Sequence, residues 1–200
     1  MNEKHLVLHG LAIKKHGTPE AVAELMGLNE DRARQLMDEA VANGRVNEAG
    51  GKYMLTPMAQ MSLKSAYSKE YADPRGSENF LQAYQNFERI NVDLKQIITD
   101  WQTLDVGGDK VPNDHSNSEY DEQVIDSLGE LHERVEPVLD QLAGGLSRLA
   151  IYKDKLLAAL EKAEDGDIQW VSDAKIDSYH TVWFELHEDL LRITGNERDE

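Results

Sequence analysis

Cysteine is missing from all 200 residues. Its absence removes disulfides, thiolate metal sites and cysteine nucleophiles together. No stretch reaches the ~18 consecutive apolar residues that a membrane-spanning helix requires, and the opening MNEKHLVLHG does not follow the basic-then-apolar order of a secretion signal. A cytoplasmic protein with no membrane contact is expected. Several catalytic loops are absent as well. There is no G-x-x-x-x-G-K-[ST] or G-x-G-x-x-G turn to cradle phosphates, no G-x-S-x-G elbow to present a serine, and no H-E-x-x-H zinc spacing. Phosphate transfer by this chain alone is therefore not expected.

Carboxylate is abundant instead. Asp and Glu number 38 against 21 Lys and Arg, for a net charge of −17, while hydrophobic residues make up 40%, an ordinary share for a globular protein. The charge is unevenly spread. Residues 1–76 hold ten basic and ten acidic residues, so the excess falls on residues 77–200. Pro74 and Gly76 in ADPRGS interrupt the helical pattern, and two domains are expected, 1–76 and 77–200.

The first region is patterned as three short helices. LVLHGLAIKKHG runs to Gly17, TPEAVAELMG opens on Thr18 as N-cap with Pro19 at the first helical position, and NEDRARQLMDEAVANG starts at Asn29 and stops at Gly44. Two short strands, Arg45–Asn47 and Lys52–Leu55, are expected around a Gly50-Gly51 turn. A further helix follows from Thr56-Pro57. Three helices, a hairpin and an exit helix make a winged helix-turn-helix. The third helix mixes Arg32 and Arg34 with Glu30, Asp31, Asp38 and Glu39, a weak charge pattern for meeting DNA phosphates.

The second region reads as an antiparallel four-helix bundle, making the whole chain mainly α. Its first helix carries a stripe of Phe80, Tyr84, Phe87, Ile90, Leu94, Ile97 or Ile98, and Trp101. Residues 105–118 read as a loop. Ser118 with Asp121 imitates a capping box and opens a second helix buried through Val124, Leu128, Leu131, Val135, Val138 and Leu142, with a kink or break expected one turn before Pro137. A third helix turns Leu149, Leu156 and Leu160 inward.

The fourth helix contains DSYHTVWFELHEDLL, residues 177–191. At ~100° per residue, Ile176, Tyr179, Trp183, Leu186, Leu190 and Ile193 share the core side, His180 and His187 lie together at its margin, and Glu185 and Asp189 face solvent. The two histidines are about 10 Å apart along the axis, too far to share one zinc ion, and no metal site is expected. An aromatic, imidazole-bearing pocket for a small, flat, partly polar ligand fits better. Its candidate lining is Tyr179, Trp183 and Asp177 from this helix, Asp100 and Trp101 from TDWQ, and Asn113, Asp114 and His115 from PNDH.

Two resemblances extend these readings. The first 70 residues, with the hairpin and Leu55-Thr56-Pro57 exit, resemble the winged helices of MarR-type regulators. TDWQ, PNDH with Tyr120-Asp121, and DSYHTVWFELHEDLL look like a module of actinobacterial proteins. There it accompanies a MarR-like winged helix and occurs in or beside phosphoenolpyruvate synthase/pyruvate phosphate dikinase-type phosphotransferases. The resemblance implies an accessory or acceptor-binding subunit of such an enzyme, acting on a small hydroxylated, phenol-like molecule. His180 or His187 would hydrogen-bond or deprotonate the acceptor hydroxyl, Trp101 and Trp183 would form walls, and Asp114 or Asp177 would orient a histidine. The chain departs from a complete dikinase in lacking an ATP-grasp domain and a loop presenting a phosphorylatable histidine. No cofactor is thus expected in this chain, with ATP and Mg²⁺ on a dikinase-type partner. The alternative is a ligand-responsive MarR-like transcriptional regulator, the one reading in which DNA is a partner. A homodimer is compatible with either.

Overall fold

A computed structural model describes residues 2–196. The chain is mainly helical, with ten α-helices and two small antiparallel two-stranded sheets among the described residues. It divides into two compact units, one formed by residues up to Gly76 together with those from His187 onward, the other by Ser77–Leu186. The last helix, α10 (Tyr179–Thr194), thus contributes residues 179–186 to one unit and 187–194 to the other.

In the first unit α1 (Glu3–Lys14), α2 (Pro19–Met26) and α3 (Glu30–Ala42) are followed by β1 (Val46–Ala49), β2 (Lys52–Leu55), α4 (Pro57–Glu70) and a short α5 (Ala72–Gly76). Local chemistry sets the starts. Thr18, Asn29 and Thr56 each accept a hydrogen bond from the backbone N–H three residues on, at 3.3, 3.1 and 3.4 Å, meeting donors that the first helical turn leaves open. β1 pairs with β2 from Val46↔Leu55 to Ala49↔Lys52, so the first strand begins one residue later and ends two later than its sequence pattern suggested. Helices α1 and α2 approach closely at Gly10, where an added Cβ would come within 2.8 Å of Val22 Cγ1. Val7, Leu11, Val22, Leu25, Ala33, Met37, Val46 and Leu55 form the buried centre. Pro74 lies within the short α5, the helix stops at Gly76, and Ser77 caps the next helix through the N–H of Phe80.

The second unit begins with α6 (Glu78–Gln102) and continues through β3 (Thr103–Val106), β4 (Asp109–Pro112), α7 (Ser118–Gly145), a 3₁₀ turn (Ser147–Leu149), α8 (Ala150–Glu164) and α9 (Gln169–Ser172) into α10. The region expected to be a plain loop is a β-hairpin, Thr103↔Pro112 to Val106↔Asp109. Its turn is Gly107-Gly108, at φ of 68° and 95°, backbone that glycine adopts without steric cost. Asn117, rather than Ser118, caps α7, accepting from the Tyr120 N–H at 3.3 Å. Helix α7 runs through Pro137 as one element, so the expected break does not occur. The expected inward residues of α7 and α8 are buried; on α6 the stripe shifts, with Ala83 and Asn91 buried and Ile90 only partly so. No described helix is long and apolar enough to cross a membrane.

Candidate functional site

The residues that follow the β3–β4 hairpin in the second unit form a tight polar cluster. Asn113 organises it. Its side-chain amide donates to the Trp101 carbonyl at 3.0 Å and to Asp121 Oδ1 at 2.9 Å, and its Oδ1 accepts the His115 backbone N–H at 3.0 Å. That turn holds His115 at φ 59°, a left-handed conformation uncommon outside glycine. The imidazole is thereby set against Asp121, with Nδ1 3.1 and 3.0 Å from the two carboxylate oxygens. It also leans on the Trp101 ring, with centroids 4.4 Å apart. Asp121 is buried. A carboxylate only accepts, so Nδ1 is the donor in this contact, the tautomer in which Nε2 is the ring's acceptor. Tyr120 braces the same corner, its hydroxyl donating to the Asp100 carbonyl at 2.9 Å, with its own ionisation pushed up by burial.

A cavity of about 530 Å³ opens beside this pair. His115, Ser118, Asp121, Glu122, Ile125 and Asp126 line one side, and Ala163, Glu164, Gly166 and Ile168 from the end of α8 line the other. The lining joins an oriented imidazole to three further carboxylates and an apolar floor. Such a surface accepts hydrogen bonds and positive charge, and it repels phosphate.

The other sequence candidates lie elsewhere. Asp114 is fully exposed and serves its own turn, its carboxylate held below the usual range by hydrogen bonds from Ser116. Asp100 takes a hydrogen bond from Gln96 at 2.7 Å on the outside of α6. Asp177 precedes α10 and pairs with Lys155. Tyr179 and Trp183 are 0% and 2% exposed. Trp183 donates to Asn91 Oδ1 at 3.0 Å and stacks on Phe87 at 4.8 Å, while the Tyr179 hydroxyl meets His132 Nδ1 at 3.1 Å. Burial lowers the pKa of His132 below the ordinary histidine value. His180 is partly buried, with its pKa likewise lowered by burial, and has no hydrogen-bond partner among the described residues. His187 is buried and belongs to the first unit.

Sequence reasoning also missed a buried polar centre in the first unit. Asp189, expected to face solvent, is 0% exposed and lies 2.8 Å from His9 Nε2, itself 0% exposed. His9 Nδ1 meets the Tyr67 hydroxyl at 3.0 Å. His5 stacks on His9 at 5.9 Å, and Tyr71 packs against both. Glu185, in the second unit, is buried too. A signal for the Asp189 pair existed only in the high histidine content of α1, which has no value without its partner 180 positions away. Among the described residues no group of three or more His, Asp or Glu is arranged to hold a metal ion. No protein-family model, curated protein or solved structure matches the chain.

Proposed function

We propose that the second unit is a helical bundle that binds a small hydroxylated molecule in the His115 cavity, as the acceptor-holding subunit of a dikinase-type phosphotransferase. The first unit serves in this reading as a winged-helix contact module. The Asp121–His115 pair carries it. An imidazole oriented through Nδ1 by a buried carboxylate, in the lining of a cavity, is suited to take a proton from a hydroxyl. The role that the sequence assigned to His180 or His187 thus moves to His115, with Trp101 as the wall and Asp121 as the positioning residue.

The surrounding carboxylates sharpen the substrate class. Glu122, Asp126 and Glu164 accept hydrogen bonds from hydroxyl groups, whereas an attached phosphate would be repelled, favouring release of a phosphorylated product. The positive charge that a phosphoryl group needs must come from the partner, where ATP and Mg²⁺ belong. In the first unit, the order helix, helix, helix, hairpin, helix supports the winged-helix reading. Its third helix is poorly prepared for DNA, because Arg32 and Arg34 are engaged by Glu3, Glu20 and Glu30 at 2.7–3.0 Å.

Catechol serves as a probe of the cavity. By calorimetry the wild-type chain is expected to bind it, His115→Ala to lose at least about tenfold in affinity, and His180→Ala to bind as wild type. With the dikinase partner and ATP, the wild type is expected to support phosphorylation of the acceptor and His115→Ala to fail while still forming the complex. Equal catechol affinity in wild type and His115→Ala, or full partner activity without this chain, would refute the reading.

A further inference from the structure

The His115 cavity carries more negative charge than a neutral acceptor calls for. We propose that its occupant is an organic cation, a hydroxylated arylalkylamine whose ammonium group is held by Glu122, Asp126 and Glu164. This rests on the acceptor-binding reading of the same cavity and adds to it the charge of the substrate.

The sequence concentrates this charge. Residues 111–133 contain seven Asp and Glu and no Lys or Arg. Helical spacing then gathers it: Ser118, Asp121, Glu122, Ile125 and Asp126 fall at i, i+3, i+4, i+7 and i+8 of α7 and line one side of the cavity. Asp121 is committed to His115. Glu122 and Asp126 are like charges one turn apart, an arrangement that disfavours the helix, and Glu164 adds a third from the end of α8. These three carboxylates have no ion-pair partner among the described residues, and the lining holds neither Lys nor Arg. Exposed carboxylates elsewhere in the same unit are matched by cations. Asp93 pairs with Arg134 at 2.8 Å, and Glu136 and Asp140 share Lys153 at 3.1 and 2.8 Å. Lys162, two residues before Glu164, lies over the Trp170 ring at 3.5 Å. Unmatched charge on a concave surface draws in a cation.

Hydrocarbon beside the carboxylates makes that cation an organic one. Ile125 and Ala163 form a buried floor, and Ile168, 38% exposed, stands in the wall. The described His, Asp and Glu side chains form no group of three arranged to hold one metal ion. An aryl ring suits the apolar side, and a primary ammonium, protonated at neutral pH as in lysine, offers three donors to the carboxylates. The bound cation also bears on transfer. Alone, the carboxylates oppose an arriving phosphoryl group; with the ammonium seated their field is partly cancelled, so the cavity admits the phosphoryl group more readily once the acceptor is in place.

Calorimetry on the full chain with three catechols that differ in side-chain charge tests the proposal: 4-ethylcatechol, dopamine and 3,4-dihydroxyphenylacetate. Dopamine is expected to bind at least about tenfold tighter than 4-ethylcatechol and the acid more weakly than either, with the gap narrowing as salt rises. Asp126→Asn combined with Glu164→Gln removes charge at two exposed positions and keeps hydrogen-bonding groups there. In that variant the dopamine and 4-ethylcatechol affinities are expected to come within about threefold of each other. Asp154→Asn, about 15 Å from Glu164 along α8 and so beyond the ~8 Å screening length at physiological salt, is expected to leave their ratio unchanged. Equal affinity for dopamine and 4-ethylcatechol, or a ratio that survives the double change, would overturn the inference, and the acceptor reading would still stand if 4-ethylcatechol binding were lost in His115→Ala. Tight dopamine binding indifferent to His115→Ala would instead keep the cation site and remove the acceptor reading. Failure of all three catechols to bind at millimolar concentration would overturn both.

Discussion

Asp189 shows how far a single residue's role depends on what lies across from it. Helical periodicity assigns it to the outer face of α10, yet it is fully buried against His9. A lone carboxylate in that environment would be costly, and the imidazole both pairs with it and links it to Tyr67. Removing one member of a buried pair leaves the other uncompensated, at roughly 3–5 kcal/mol. Asp189→Ala is accordingly expected to lower unfolding stability by about that amount in urea titration, and His9→Ala by a comparable amount. The double variant should cost less than the two losses added, because each single change already breaks the same contact. A loss below about 0.5 kcal/mol for Asp189→Ala would mean that the pair contributes no more than an exposed salt bridge.

Elements were legible in the sequence wherever the deciding interaction is local. Thr18, Asn29 and Thr56 cap helices through the N–H three residues on, and α7 buries its stripe at the expected 3.6-residue spacing. The β3–β4 hairpin was not legible although Gly107-Gly108 carries the same turn signal as Gly50-Gly51, because Gly107, Gly108 and Pro112 together mark a loop. The site was half legible. Asn113, His115 and Trp101 fall within fifteen residues of one another, so their meeting is local, whereas the far wall of the cavity comes from Ala163 to Ile168, at and just beyond the end of α8. Proline was over-read. Pro137 and Glu133 are both exposed on α7, so the Glu133 carbonyl, left without its i+4 donor, can bond to water. The helix continues at an energetic cost rather than breaking. Restoring the donor with Pro137→Ala is expected to raise stability by roughly 1–3 kcal/mol, seen as a higher urea midpoint with an unchanged slope. A lower midpoint would show that α7 is shaped around the proline.

At the scale of the whole molecule, charge decides which large partners are admissible. A duplex carries one negative charge per ~1.7 Å, and protein affinity for it comes mainly from cations that displace its counterions. This chain brings −17 overall, and in α3 its two arginines are held by carboxylates of the same unit. Arg34 reaches Glu20 at 2.7 Å and Glu30 at 3.0 Å, and Arg32 reaches Glu3 at 2.9 Å. Glu20 stays ionised well below neutrality, its pKa brought to about 2 by a backbone N–H, the Thr18 hydroxyl and Arg34, so its clamp on Arg34 persists across the physiological pH range. Fluorescence anisotropy with duplexes from the gene's own upstream region is therefore expected to show binding no tighter than about 10⁻⁶ M at physiological salt, the level of non-specific contact. Converting Glu3, Glu20 and Glu30 together to glutamine frees both guanidiniums and removes three negative charges. Duplex affinity should then rise with a steeper salt dependence, without sequence preference. Nanomolar affinity of the wild type for one upstream site, abolished by Arg32→Ala with Arg34→Ala, would instead establish α3 as a DNA-reading helix and make the regulator the better account of the chain.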